Sequence, residues 1–211
     1  MCDDRNDDKI KEIGLGVSGS VYRGIYKNKE VAFKRLKITL DDIITYGLPA
    51  LGELDVMSRL DHANTMKIID FFLPSDNLEL TFIMNLGDCH LLRYLRSYDL
   101  YYQQKIRLMS DLTHAVKYIH DNQVLHLDIK SCNVIMFGSS PKLSDFGSSC
   151  YADPEEGRYI AGQMITASHR PPEVYDGDYR YTAKSDCWSL GLVFYTILSG
   201  GDLPWSPRDN V

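Results

Sequence analysis

The sequence predicts an α+β fold: a small antiparallel sheet carrying one helix, followed by a mostly helical half. Three observations predict it. The first third is a series of short segments rich in β-branched and aromatic residues, broken by turn-forming clusters. From about Asp88 onward, apolar residues recur at steps of three and four. At 211 residues the chain can bury one good core or divide into two small lobes around a cleft.

The strands come first. KIKEIGLG (9–16), SGSVYRGIYK (18–27) and EVAFKRLK (30–37) follow one another, with Lys27-Asn28-Lys29 as a tight turn. In DDIITYGLPALGELDVMSRLDH, Gly47 and Pro49 interrupt a helix, and proline at a first helical position restarts one. Leu54, Met57 and Leu60 then repeat at helical spacing. TMKIIDFF (65–72) and LELTFIMN (78–85) are two more strands, split by the turn Pro74-Ser75-Asp76-Asn77. Residues 9–86 therefore read as a β-rich N-lobe, preceded by a solvated acidic tail, MCDDRNDD (1–8).

Residues 87–211 read as a helical C-lobe, joined to the first by a hinge at 85–88. Ile106, Met109, Leu112, Val116 and Ile119 mark an amphipathic helix. Two short strands follow, VIMF (134–137) and KLSD (142–145), then an irregular stretch over 146–181, a length uncommon unless it is functional. The last helix, 185–199, is apolar nearly all round and is expected to be buried, with Gly200-Gly201 as its stop.

Composition excludes several functions. With 23 basic against 29 acidic residues the net charge is −6, which argues against a nucleic-acid-binding surface. The cysteines (Cys2, Cys89, Cys132, Cys150, Cys187) form no CxxC pair, and they and the histidines match no zinc spacing. An odd cysteine count with no signal peptide points to a reducing, intracellular compartment, expected to be the cytoplasm, with the nucleus left open. The longest apolar run, 190–198, is too short to cross a bilayer, and Cys2 breaks the myristoylation pattern.

The chemistry sits in a few motifs. Gly14, Leu15, Gly16, Gly19 and Val21 fit GxGxxGxV, flanked by strands with no helix following, which disfavours a dinucleotide fold. A glycine-rich hairpin reads the same way. A phosphate loop uses the glycines so that backbone N–H groups can lie close over phosphate oxygens. Lys34 follows on a strand at the spacing of a phosphate-holding lysine, and Glu53 on the restarted helix is its natural partner. Taken singly, either is an ordinary surface residue.

The sharper signal is HLDIKSCN (126–133), followed twelve residues after Asn133 by Asp145-Phe146-Gly147. Phosphoryl transfer needs a carboxylate to orient the attacking hydroxyl and cations to neutralise the moving charge. Asp128 fits the first need, Asn133 and Asp145 are hard oxygen ligands for Mg²⁺, and Lys130 can reach a γ-phosphate.

From the glycine loop to the last helix, nearly the whole chain resembles a eukaryotic-type protein kinase, a two-lobe fold with a five-stranded N-lobe sheet. The resemblance implies ATP and Mg²⁺ as cofactors and Ser/Thr hydroxyls of proteins as acceptors, Lys130 favouring Ser/Thr over Tyr. It also implies that Lys34, paired with Glu53, holds the ATP phosphates, and that Val21, Ala32 and Ile135 sandwich adenine. Met84 is implied as gatekeeper, with Asn85 and Leu86 starting the hinge. Met57, Ile68, His126 and Phe146 would stack between lobes, and Asp186 would accept hydrogen bonds from the catalytic-loop backbone. TASHRPPE (166–173) resembles the end of an activation segment.

Three departures stand out. Leu127 replaces an arginine that, by the resemblance, pairs with a phosphate on the activation segment, so activity independent of that phosphorylation is expected. The chain stops at Val211, before the helices that complete a family member's lower lobe and that carry the partner of Glu173. Glu173 is thus expected to be exposed unless the chain is a fragment; a naturally short kinase, of viral origin for example, fits equally. Finally, Gly47-Leu48-Pro49 shortens or shifts the helix that presents Glu53. The alternative function is a pseudokinase-type module that binds nucleotide and inhibits or scaffolds another kinase.

Overall fold

The computed structural model describes residues 11–16, 19–37, 49–73, 79–160, 165–177 and 179–205. The acidic tail, Val17-Ser18 of the glycine loop, Gly47-Leu48, the turn at 74–77 and the chain's C-terminal end lie outside them. The chain forms two compact units. One takes residues up to Asp61 together with Met66–Gly87, and the other takes His62–Thr65 with Asp88 onward.

The first unit is built on β1 (Lys11–Gly16), β2 (Gly19–Tyr26), β3 (Lys29–Lys37), β4 (Ile68–Phe72) and β5 (Glu79–Asn85). They form one antiparallel sheet in the order β1-β2-β3-β5-β4. The β2–β3 turn has Lys27 at φ 49° and Asn28 at φ 60°, the two positive values that a two-residue hairpin matching strand twist requires. Strand alternation then divides β3. Val31 and Phe33 join Tyr26 and Ile83 on one face, while Ala32, Lys34 and Leu36 are buried on the other. Helix α1 (Pro49–Arg59) opens on its proline as expected. Its buried stripe is Glu53, Val56 and Met57, continued by Leu60, whereas Leu54 is only half-buried.

In the second unit, β6 (Cys89–His90) leads into α2 (Leu91–Ser97) and the long α3 (Tyr102–Asp121). α3 buries Leu108, Leu112, Ala115, Val116 and Ile119. Ile106, expected on that stripe, is 42% exposed. At 3.6 residues per turn it lies about 120° from Leu112, off the stripe, and Leu108 takes its place. β7 (Val124–Leu125) precedes the loop 126–133, and β8 (Val134–Phe137) and β9 (Ser140–Leu143) form a hairpin beside β6. β9 thus runs two residues earlier than expected, which places Ser144 and Asp145 beyond its end.

The stretch read as irregular contains short elements: β10 (Cys150–Tyr151), β11 (Arg158–Tyr159), α4 (Pro172–Tyr175) and β12 (Arg180–Tyr181). α5 (Ala183–Ser199) is capped by the Thr182 side chain and stopped by Gly200 at φ 81°. It is not buried all round. Leu190, Leu192, Val193 and Ile197 are buried, but Trp188, Tyr195 and Leu198 are 40–49% exposed. Residues 62–65 are fastened to this unit by the Leu143 N–H donating to Asn64 O (2.8 Å) and by His62 stacked on Tyr118 (5.0 Å).

Candidate active site

In the first unit the glycine motif spans a hairpin. Gly14, Leu15 and Gly16 end β1, Gly19 begins β2, and Gly16 faces Gly19 in register. The two outer glycines differ in kind. Gly19 has φ 141°, and a Cβ there would lie 2.2 Å from Arg35 O, so the hairpin itself demands glycine. At Gly14 an added Cβ would meet nothing closer than 3.9 Å. Register sets Val21 opposite Lys34 and Ala32 opposite Met84. Val21, Ala32, Lys34 and Met84 are therefore near neighbours across three strands, with Asn85 and Leu86 at the exit of β5.

Lys34 projects from the buried face of β3, where an ammonium without a partner would be costly. Glu53, on the buried stripe of α1, supplies one, with Nζ to Oε1 at 2.7 Å and both side chains almost wholly buried. The proline-started helix therefore does bring Glu53 to Lys34.

In the second unit the loop 126–133 is held from below. Asp186, fully buried near the start of α5, accepts the backbone N–H of His126 (2.8 Å) and of Leu127 (2.9 Å), and pairs with His120 Nε2 (2.9 Å). These bonds fix Leu127 at φ 63°, a conformation that costs a non-glycine residue free energy. The His126 ring is also determined. Its Nε2 faces Ser144 O (3.1 Å), an acceptor only, so Nε2 carries the hydrogen and Nδ1 accepts the Asp128 N–H (3.3 Å). Burial lowers the His126 pKa below the ordinary histidine value, which keeps the ring neutral. The ring lies against Phe146, centroids 4.8 Å apart.

Around Asp128 three polar side chains converge. Oδ2 accepts Lys130 Nζ (2.7 Å) and Asn133 Nδ2 (2.9 Å), and Oδ1 accepts the Thr166 hydroxyl at 2.5 Å. Lys130 donates also to Thr166 Oγ1 (3.0 Å), and Asn133 Nδ2 to Asp128 O (2.8 Å). Asn133 O in turn accepts both the N–H (2.8 Å) and the hydroxyl (2.8 Å) of Ser144, the residue before Asp145. Asp145 itself is half-buried with left-handed backbone, φ 61° and ψ 72°. Such strained backbone is concentrated at functional sites. Ile135 is half-buried on β8, opposite Lys142.

Comparison with known proteins agrees with this arrangement: residues 8–210 match the family described as Protein kinase domain. The chain belongs to the protein kinase family. Its fold is that family's, with a five-stranded antiparallel N-lobe sheet and a helical C-lobe. The kinase domain is 32% identical over 197 residues to mitogen-activated protein kinase 10 of Arabidopsis thaliana (90% of this chain, 49% of that one). It is 30% identical over 200 residues to cyclin-dependent kinase 17 of Caenorhabditis elegans (92% and 29%). Against a probable serine/threonine-protein kinase of Encephalitozoon cuniculi it is 28% identical over 188 residues (89% and 34%). The chain thus spans from 29% to 49% of the length of these relatives.

Two features of the kinase domain were not foreseen. Thr166 was legible only as one letter of an activation-segment match, yet its hydroxyl reaches Asp128 from 38 residues away in sequence. Glu173, expected to be exposed, is half-buried and accepts the Ser185 hydroxyl at 3.4 Å, near the N-terminus of α5 where a carboxylate is favoured. Among the described residues no helix is long and apolar enough to cross a membrane.

Proposed function

We propose that this domain is a protein serine/threonine kinase, transferring the γ-phosphoryl group of ATP to protein hydroxyls with Mg²⁺. The observation that carries the reading is the constellation on Asp128. A carboxylate that accepts one hydroxyl at 2.5 Å on Oδ1, while a lysine donates to that hydroxyl's oxygen and to Oδ2, suits a second, incoming hydroxyl. Asp128 takes the proton of the acceptor hydroxyl as its oxygen bonds to the γ-phosphorus. The bond to the β–γ bridging oxygen breaks, and ADP leaves. Lys130 offers positive charge to the γ-phosphoryl oxygens. Lys34, aligned by Glu53, serves the α- and β-phosphates beneath the backbone of Gly14, Leu15, Gly16 and Gly19. Val21, Ala32, Met84, Asn85, Leu86 and Ile135 take the adenine.

Asn133 and Asp145 fit Mg²⁺. The Asn133 amide nitrogen is committed to Asp128, which turns its oxygen the other way, and Asp145 adds a carboxylate. One neutral and one anionic oxygen suit a small hard cation that keeps water and phosphate oxygens as its remaining ligands. When bound, the metal neutralises charge on the transferring group.

The names of the similar chains support protein hydroxyls as acceptors, as does Lys130 two residues after Asp128. The unpaired state of Cys89, Cys132, Cys150 and Cys187 supports a reducing, cytoplasmic setting. The test is incubation of purified protein with labelled ATP, Mg²⁺ and generic protein substrates beside Asp128→Asn. Phosphoserine and phosphothreonine form with the parent and fall by about 10²- to 10⁴-fold in the variant. Nucleotide binding without transfer by the parent points instead to a non-catalytic module.

A further inference from the structure

Leu127, fixed at φ 63° by Asp186, turns its side chain away from solvent altogether. It joins a cluster of buried residues made of Leu125, Leu127, Ile165, Val174 and Tyr181, with Cys150, Ala152 and Ile160 packed against it. Distant stretches of chain meet there: Leu125 and Leu127 at the catalytic loop, residues 150–160 with Ile165, and Val174 with Tyr181. No member carries a formal charge.

The backbone of the same segment is tied down at intervals. β10 pairs with β7, and the Ala152 N–H donates to Gln123 O at 2.9 Å. Pro154 O accepts the Ala183 N–H (2.8 Å), and β11 pairs with β12. Gly157, at φ 71°, lies so close to that partner strand that a Cβ would sit 2.2 Å from Tyr181 O. Two arginines hold carbonyls of the segment: Arg180 Nε on Glu156 O (2.6 Å), and Arg170 through Nε (3.2 Å) and Nη2 (2.9 Å) on Ile165 O. Ile165 immediately precedes Thr166, so anchoring the one positions the other on Asp128.

Resting on the reading of Asp128 and Thr166 as the transfer site, we infer that an apolar clasp closed on Leu127 docks residues 150–160 and Ile165 in the unmodified protein and sets regulation of that site. Burial of the cluster does the ordering, and it requires no added charge. A phosphate on the segment finds no cation at position 127. An arginine there would have to bury its guanidinium among apolar side chains, so it undocks the segment instead of restoring control by phosphate. Leu127 is thus a positioning residue, acting through Ile165 and Thr166.

The experiment is hydrogen–deuterium exchange over 150–160 in the full chain, before and after phosphatase treatment, beside nucleotide binding and phosphoryl transfer. Leu127→Ala, Leu127→Arg and the milder Ile160→Ala each speed exchange in this segment about tenfold or more, while α3 and α5 stay protected. Transfer falls in parallel in the position-127 variants, nucleotide affinity stays within about twofold, and Leu127→Met behaves as the parent. Phosphatase changes nothing. Unchanged protection in Leu127→Ala and Ile160→Ala, or protection lost on phosphatase treatment alone, overturns the clasp. Should the parent transfer no phosphate, the kinase reading fails, and the exchange data still decide the clasp.

Discussion

Thr166 and Asp128 are joined by a 2.5 Å hydrogen bond, and the same threonine oxygen accepts from Lys130 at 3.0 Å. The hydroxyl thereby locks the carboxylate and the ammonium into one geometry. Thr166→Val keeps the shape and removes that lock. Losing a charge-assisted bond of about 1.5–3 kcal/mol predicts a drop in kcat of roughly ten- to a hundredfold. KM for ATP should change little, because Lys34 and the glycine hairpin, assigned to the α- and β-phosphates, are left as they are. Thr166→Ser should recover most of the rate. Steady-state kinetics on the three proteins decides it, and a Thr166→Val rate equal to the parent's would remove the role.

The Lys34–Glu53 pair calls for a different test, because both side chains are nearly inaccessible to water. Removing one partner leaves the other charge buried, so Glu53→Leu should destabilise the domain by about 3–5 kcal/mol. Lys34→Met together with Glu53→Leu should recover part of that loss while leaving phosphoryl transfer abolished. Chemical denaturation of the single and double variants measures the coupling. Additive losses would mean that the pair contributes nothing as a pair.

Both predictions rest on residues whose legibility in the sequence differs for physical reasons. Lys34, Glu53, Asp128, Lys130 and Asn133 could be picked out because local spacing carries them: a strand lysine after a glycine hairpin, a helix opened by Pro49, a loop of eight residues. Thr166 could not. Its contact with Asp128 is made by the tertiary course of the segment, which no periodicity encodes. Leu127 was visible as a departure, but not its destination, since that depends on a left-handed backbone and on Ile165 and Tyr181 arriving from elsewhere. Ile106 failed for a simpler reason. Near a helix start, several phases fit a step of three and four, and the contacts of Leu108 choose among them.

Asp186 is the support on which the catalytic loop rests, so its removal should be felt as stability before activity. It is fully buried and accepts two backbone N–H groups as well as His120. Asp186→Ala leaves the N–H groups of His126 and Leu127 without that acceptor. At about 1–3 kcal/mol for each buried unsatisfied group, the loss should reach roughly 2–6 kcal/mol. Asp186→Asn keeps one acceptor oxygen and should cost less than half as much. Melting temperatures of the two variants test the ranking, and equal losses would contradict it.

Acid sensitivity follows from two buried histidines. Burial lowers the pKa of His126 and of His169 below the ordinary value of 6.5. The sign is fixed by linkage. Near and below pH 6.5 the unfolded chain binds protons at these positions while the folded chain does not, so stability falls as the pH drops. Above that value both states are neutral and the contribution is flat. Each histidine adds a slope of up to about 1.4 kcal/mol per pH unit until its folded pKa is reached. His169 offers the cleaner test: its Nδ1 meets the Ser168 hydroxyl at 3.0 Å, whereas its buried Nε2 has no hydrogen-bond partner among the described residues. His169→Gln removes one titrating group, so its unfolding free energy should decline less steeply between pH 6.5 and 5 than the parent's. Parallel curves for the two proteins would show that His169 protonation is not coupled to folding.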